Sequence, residues 1–302
     1  MKRALLIGGT GFVGCHMGRF LSENYEVISS GSECDIRNKK KITTLVDKCR
    51  PDIVVNFAFI TTVKETFSNP EKNLEIGFHG MMNLLMALKK INFKGKLLNI
   101  SSSEVYGHPD ISLLPMSEKT PLKPMSPYSV VKIAVEALCY QWSQSENMDI
   151  VTARPFTHIG PGQSDRFALS NFSRQIAEMQ LKMRKPIMHV GNLESTRDFT
   201  DVRDVVRAYD LLIKFGKSGD IYNVCTGKEY KMKNLLTKMI ASSGLKVKVI
   251  KDEKLFRSTD QQRICGSSEK LHNETGWLSE IPVEQTLLDM VNEWKNRLTS
   301  NV

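Results

Sequence analysis

Apolar positions along this chain switch between short continuous runs and stretches that repeat with a helical period. Residues 4–7 (ALLI), 25–31 (YEVISSG), 52–59 (DIVVNFAF) and 96–103 (KLLNISSS) have the length and composition of buried strands. Between them, Phe12, Val13, Met17, Phe20 and Leu21 recur at helical spacing. Met81, Met82, Leu84, Leu85, Met86 and Leu88 form the apolar side of a second helix. Strands alternating with helices at this spacing predict an α/β fold: a Rossmann-like doubly wound parallel sheet with a smaller C-terminal α/β substrate-binding lobe. The sheet domain is expected over residues 1–154, recovering an element at about 199–225. Residues 155–198 and 226–302 are left for the smaller lobe, with the active site in the cleft between them. Ligands of such sheets bind beyond the carboxyl ends of the strands.

The chemistry sits at two of those ends. After the first strand, Gly8, Gly11 and Gly14 are spaced GxxGxxG. Small residues there let the chain turn tightly and bring backbone N–H groups and a helix N-terminus up to a pyrophosphate. The second strand ends in serines, and the acid suited to the ribose hydroxyls of NAD arrives later, as Asp35 in CDIRN. With no carboxylate at the strand tip and Arg37, Lys39, Lys40 and Lys41 nearby, electrostatics favour NADPH mildly and allow NADH. The three lysines also read as a solvated helix start. Ser101, Ser102 and Ser103 close the fourth strand. Pro127 suits a helix start, which puts Tyr128 and Lys132 on one helical face that continues through Ala134, Leu138 and Trp142. A free tyrosine titrates near pH 10, so an adjacent ammonium and a cationic nicotinamide are expected to lower it into useful range.

These segments together resemble the extended short-chain dehydrogenase/reductases, the nucleotide-sugar epimerase/dehydratase family, over nearly the whole chain. SSSEVYG matches the family's serine/threonine segment and selects Ser102 as the catalytic hydroxyl; YSVVK supplies the catalytic Tyr128 and Lys132. The resemblance implies cofactor contacts at Gly8, Gly11, Phe12, Val13, Gly14, Asp35, Ile36, Ala58 and Pro155, shared with Tyr128 and Lys132. In TRDFTDVRDV it implies a phosphate-contacting Arg197 and structural roles for Asp201 and Asp204. A narrower resemblance runs through ARPFTHIGPGQ, HVGNLESTRDF, YNVCTG and QQRICGSSEKLHNETGW, to the reductases of GDP-4-dehydro-6-deoxy-mannose. GNLE is also similar to the GDP-mannose 4,6-dehydratases, which implies guanine as the base. Substrate contacts then fall on Ser103, Thr157, Asn192 and Arg197, with Arg257 and Asp260 holding the diphosphate and the ribose hydroxyls.

The resemblance also implies the reaction. Glu104 follows Ser103 where the dTDP-glucose dehydratases carry an Asp–Glu pair, so one carboxyl is missing. GDP-mannose dehydratases keep Ser–Glu there, but also carry a longer, arginine-containing loop after the second strand that this chain lacks. Reduction of the C4 ketone of a GDP-4-dehydro-6-deoxy-hexose therefore fits best, with 4,6-dehydration or C4 epimerisation of a GDP-sugar as the alternative. Two departures matter. Thr157 stands where the family usually has Asn, and Gly77 replaces another frequent Asn, so a proton relay through that position is not available.

Composition changes this picture little. The net charge of +9 is spread along the 302 residues and comes with no nucleic-acid motif, so a basic surface that steers anionic nucleotides is the expected use. Six cysteines without CxxC spacing read as reduced thiols of a cytoplasmic protein, and the six histidines show no paired metal-ligand spacing. No apolar run approaches the roughly 18 residues of a membrane span, and the apolar start MKRALLIGG is the first strand and not a leader. A homodimer pairing the Tyr128 helix is the family expectation.

Overall fold

The computed structural model describes residues 1–252 and 262–300. The first half lays down β1 (Lys2–Ile7), α1 (Phe12–Leu21), β2 (Tyr25–Ser30), α2 (Lys39–Cys49) and β3 (Ile53–Asn56). Next come α3 (Val63–Ser68), α4 (Pro70–Leu74), a π-helical turn at Glu75–His79, α5 (Gly80–Lys90) and β4 (Lys96–Ile100). A 3-10 turn (Ser103–Tyr106) leads toward α6 (Pro127–Ser145) and β5 (Asp149–Pro155).

The second half contains β6 (Thr157–Ile159), α7 (Ala168–Gln180), β7 (Ile187–Val190), β8 (Thr196–Arg197), β9 (Phe199–Asp201) and α8 (Val202–Phe215). It ends with β10 (Ile221–Val224), β11 (Tyr230–Lys231), α9 (Met232–Ser243), β12 (Lys248–Lys251), α10 (Glu269–Thr275) and α11 (Val283–Ser300).

Six strands form one parallel sheet in the order β10-β5-β4-β3-β1-β2. Its strands are apolar on both faces because both are covered. Leu5 and Ile7 point into a cluster with α2, α5 and α6, while Ala4 and Leu6 point into a second cluster with α1 and α8. Leu271 and Trp277 join the second cluster, with the Trp277 indole N–H donating to the Asp204 carbonyl at 3.0 Å. Residues from α7, β7, α9 and α11 enclose a separate core. Short pairs β6–β9 and β7–β12 (both parallel) and β8–β11 (antiparallel) build this smaller part.

Three expectations need correction. The strand expected over 52–59 stops at Asn56, whose side-chain oxygen accepts from the Ala58 N–H at 3.1 Å and turns the chain. The strand expected over 96–103 stops at Ile100. Ser101 N–H still reaches the Ala153 carbonyl at 2.8 Å, but Ser102 caps the 3-10 turn. Met86 is 43 % exposed and lies off the core face of α5.

Candidate active site

At the N-terminal loop, Gly8 has φ +74°, and a Cβ there would lie 3.0 Å from the Ala58 N, so the β1 and β3 ends approach backbone to backbone. Gly11 is the N-cap of α1, with no side-chain cap and no acid in the first turn. Its own Cβ position meets only the Gly8 carbonyl at 3.4 Å. An uncapped helix N-terminus behind open glycine backbone suits a pyrophosphate. Phe12 packs edge-on to His16 and stacks on His158, Val13 packs on the core behind β1, and Pro155 ends β5 beside Val224. Ile36 spends its side chain in the core against Gly80.

The tip of β2 differs from its sequence reading. Glu33 folds back so that its carboxylate accepts from the Gly31 N–H at 2.5 Å, placing a negative charge at the strand end that the linear sequence seemed to leave free. Lys41 Nζ donates to the Glu33 carbonyl at 2.9 Å. Asp35 is engaged by Arg37, which also reaches Glu75 at 3.1 Å.

The Ser–Tyr–Lys set assembles at the end of β4. Ser126 accepts from the Ser129 N–H at 3.2 Å while Ser129 accepts from the Ser126 N–H at 3.1 Å, and Pro127 sits at the start of the helix. This reciprocal cap fixes the first turn of α6, and with it Tyr128. The Ser102 side chain lies near the Tyr128 hydroxyl and favours its ionised form. Lys132, buried one turn later, donates to the Ile100 carbonyl at 2.6 Å and lies 3.1 Å from the Phe59 ring centroid and 5.5 Å from that of Tyr128. Glu104 donates its backbone N–H to Ser102 Oγ at 3.2 Å.

Among the chain's own groups, the electrostatics act against ionising Tyr128. Burial pushes its phenol up to about 12, against the effect of Ser102, and the Glu104 charge pushes the same way. Burial also holds Lys132 well below the ordinary ammonium value, with Glu136 opposing. Lys132 spends its proton on a backbone carbonyl, so desolvation outweighs its pull on the phenol.

Other residues singled out from sequence scatter around this centre. Ser103 is buried in the 3-10 turn, Thr157 opens β6 opposite Phe199, and Arg197 in β8 donates to the Thr196 carbonyl at 2.8 Å. Asn192 accepts from the Glu194 N–H at 2.9 Å. Arg257 and Asp260 lie outside the described residues. Asp201 and Asp204 hold structure together: Asp201 accepts from Thr286 Oγ1 at 2.7 Å, and Asp204 from the N–H groups of Glu280 and Ile281 at 2.9 Å. At Gly77, a Cβ would overlap Val131 Cγ1, so no asparagine fits there.

Sequence reading missed three carboxylate arrangements, two of them buried and the third, Glu33, exposed. Asp198, fully buried, accepts from Thr226, Gly227 and Gly266. Glu136 pairs with Arg154, and Glu33 covers Gly31. The available signals were an acid one turn beyond Lys132 and a charge inside the apolar strand IVTARP.

The chain matches the family model of GDP-mannose 4,6 dehydratase over residues 29–290. It is 36% identical to GDP-6-deoxy-D-mannose reductase of Pseudomonas aeruginosa over 98% of both chains. It is 28% identical to GDP-6-deoxy-D-talose 4-dehydrogenase of Aggregatibacter actinomycetemcomitans, again over 98% of each. The solved structure of RMD from Pseudomonas aeruginosa complexed with NADPH superposes with a TM-score of 0.93, covering 98% of this chain and 100% of that one at 36% identity. With its glycine loop, its parallel sheet and Ser102, Tyr128 and Lys132 gathered at the end of β4, the chain belongs to the GDP-mannose 4,6-dehydratase family of NAD(P)-dependent extended short-chain dehydrogenase/reductases.

Proposed function

We propose that the protein reduces the C4 ketone of a GDP-4-dehydro-6-deoxy-hexose, of the kind that yields GDP-D-rhamnose, with NADPH or NADH as hydride donor. The carrying observation is Tyr128 one helical turn before the buried Lys132 and close to Ser102, whose hydroxyl caps the turn that holds a single carboxylate, Glu104. The 36% identity to a GDP-6-deoxy-D-mannose reductase supports the same reading. The open backbone of Gly11 and the uncapped start of α1 fit the cofactor pyrophosphate, and when bound the nicotinamide supplies the hydride.

The chain's own residues do the proton work. Ser102 donates to the ketone oxygen and orients it. Tyr128, protonated at neutral pH, hands its proton to that oxygen as hydride reaches C4. Lys132 carries the charge that stabilises the phenolate left behind. Arg197, Asn192 and Thr157, with Arg257 and Asp260, bind the GDP-sugar on the side of the smaller core built from α7, β7, α9 and α11. Exposed Met86, Val130 and Tyr140 on α5 and α6 are apolar surface suited to a homodimer, which light scattering of the purified protein tests.

The deciding experiment follows NADPH and NADH oxidation with enzymatically prepared GDP-4-dehydro-6-deoxy-mannose and identifies the product by NMR. Substrate-dependent oxidation supports the reductase, and the product gives the C4 configuration. Glu104, close enough for its charge to act on Tyr128, and the name of the matching family model favour one second reading, dehydration. Conversion of GDP-mannose to a 4-keto product without net cofactor use would establish it. Tyr128→Phe is expected to lower turnover by about a thousandfold or more while NADPH still binds.

A further inference from the structure

Beneath Tyr128 and Lys132 lies a buried polar network that the proposed chemistry does not touch. Glu136 follows Lys132 by one turn of α6 and is 6 % exposed. Its two oxygens accept from Arg154 Nε at 2.9 Å and Nη2 at 2.6 Å, and Ser101 Oγ donates to the first of them. Arg154 Nη1 donates to the Tyr106 hydroxyl at 2.9 Å, which donates to Asn223 Oδ1 at 2.7 Å. Asn223 in turn donates to the Met116 carbonyl at 3.0 Å. The network thus ties α6 to the ends of β4, β5 and β10.

Two adjacent residues at the end of β4 connect this network to the active site. Lys132 Nζ donates to the Ile100 carbonyl, and the next residue, Ser101, donates to Glu136. Lys132, Glu136 and Arg154 are each at most 6 % exposed, so two cations share one anion away from water. Among the described residues no carboxylate forms an ion pair with Lys132, and Glu136 is the carboxylate whose charge reaches it. Other ionisable groups around the pair are Tyr128 and Cys139 on α6, Glu104 and Tyr106 after β4, Arg154 on β5 and Tyr209 on α8.

We propose that Glu136, clamped by Arg154 and Ser101, is a positioning residue that fixes Lys132 on the Ile100 carbonyl and supplies the counter-charge of its buried ammonium. A bidentate guanidinium fixes where the carboxylate lies, and the shared β4 end fixes where the ammonium lies relative to it. Removing the carboxylate leaves two buried cations without their shared anion, and the ammonium gives up its proton at lower pH. The turnover arm of this inference rests on the reductase reading. The binding arm requires only that Lys132 contact the cofactor.

The test compares Glu136→Gln, Glu136→Asp and the double variant Glu136→Gln/Arg154→Met. For each, turnover against pH, NADPH affinity against pH from fluorescence quenching, and the melting temperature are measured. In Glu136→Gln the alkaline limb of both pH profiles is expected to move toward acid by about one unit, with kcat falling more than KM rises. The double variant removes the unpaired guanidinium and its repulsion of Lys132, and is expected to regain melting temperature while its limb returns only part of the way. Glu136→Asp keeps the charge and is expected to keep the wild-type limb. A double variant that regains stability together with the wild-type limb overturns the proposal and leaves the pair structural, as does a displaced limb in Glu136→Asp. If the wild type fails to turn over the sugar, the reductase reading falls, while the NADPH profiles still decide the role of Glu136.

Discussion

Asp198 offers a quantitative test of how the smaller part of the molecule is held in place. Its fully buried carboxylate accepts from the Thr226 N–H at 2.9 Å, Thr226 Oγ1 at 2.6 Å, the Gly227 N–H at 2.9 Å and the Gly266 N–H at 3.3 Å. It therefore ties the residue after Arg197 to the loop following β10 and to the stretch before α10. In Asp198→Ala the amides of Thr226 and Gly227 lose their acceptor inside the protein, at roughly 2 kcal/mol each, or about 4 kcal/mol together. The Thr226 hydroxyl can turn away, and the Gly266 bond is long, so neither adds much. Asp198→Asn keeps one oxygen for Thr226 but sets an NH₂ against the Gly227 and Gly266 amides.

Burial pushes the Asp198 carboxyl above its ordinary value despite four donors, so the charged form carries a desolvation cost that asparagine lacks. The two effects in Asp198→Asn leave a loss of about 2 kcal/mol. At about 2–4 °C per kcal/mol for a chain of this size, the melting temperature should fall by roughly 5 °C for Asn and 10 °C for Ala. Urea unfolding followed by tryptophan fluorescence, with thermal scans alongside, measures both. Because Arg197 is the neighbouring residue, KM for the GDP-sugar should rise more than KM for NADPH. An Asn variant within about 0.5 kcal/mol of wild type, or one worse than Ala, would refute the assignment of Asp198 as an acceptor hub.

Other expectations are more compact. Gly77→Asn should destabilise the protein by about 2 kcal/mol or more because Val131 fills the space, and Val131→Ala in the same chain should recover part of the loss on urea titration. The Tyr128 phenol is raised to about 12 and must be protonated for reduction. Reductive turnover should therefore hold flat through neutral pH and fall only on the alkaline side, whereas oxidation of the product should speed up with rising pH. Stopped-flow rates in both directions measure this, and a reductive rate that halves between pH 6 and pH 8 would contradict it. Glu33→Gln removes the carboxylate covering the Gly31 N–H, and should tighten NADPH relative to NADH by about three- to tenfold in fluorescence titrations.

Hydrophobic patterning by itself determined the doubly wound sheet, because a strand covered on both faces must be continuously apolar and a covering helix must repeat near 3.6 residues. Gly8 and Gly14 were legible because a tight approach excludes side chains there, and Tyr128 and Lys132 because helical geometry turns a four-residue spacing into a shared face. What the linear order could not give was the contest between charge and burial. The four-residue spacing placed Lys132 beside Tyr128, yet only the packed site shows Lys132 aimed at the Ile100 carbonyl and, among the chain's own groups, burial raising the phenol. The β2 tip looked free of acid until the chain folded Glu33 back onto Gly31. Asp198 and Glu136 were ordinary acids until long-range contacts, with Gly266 and Ser101 among them, buried their carboxylates among donors. Periodicity is a local property, readable from neighbours in sequence; desolvation and hydrogen-bond partnership depend on which distant segments close over a group, and only the tertiary structure decides that.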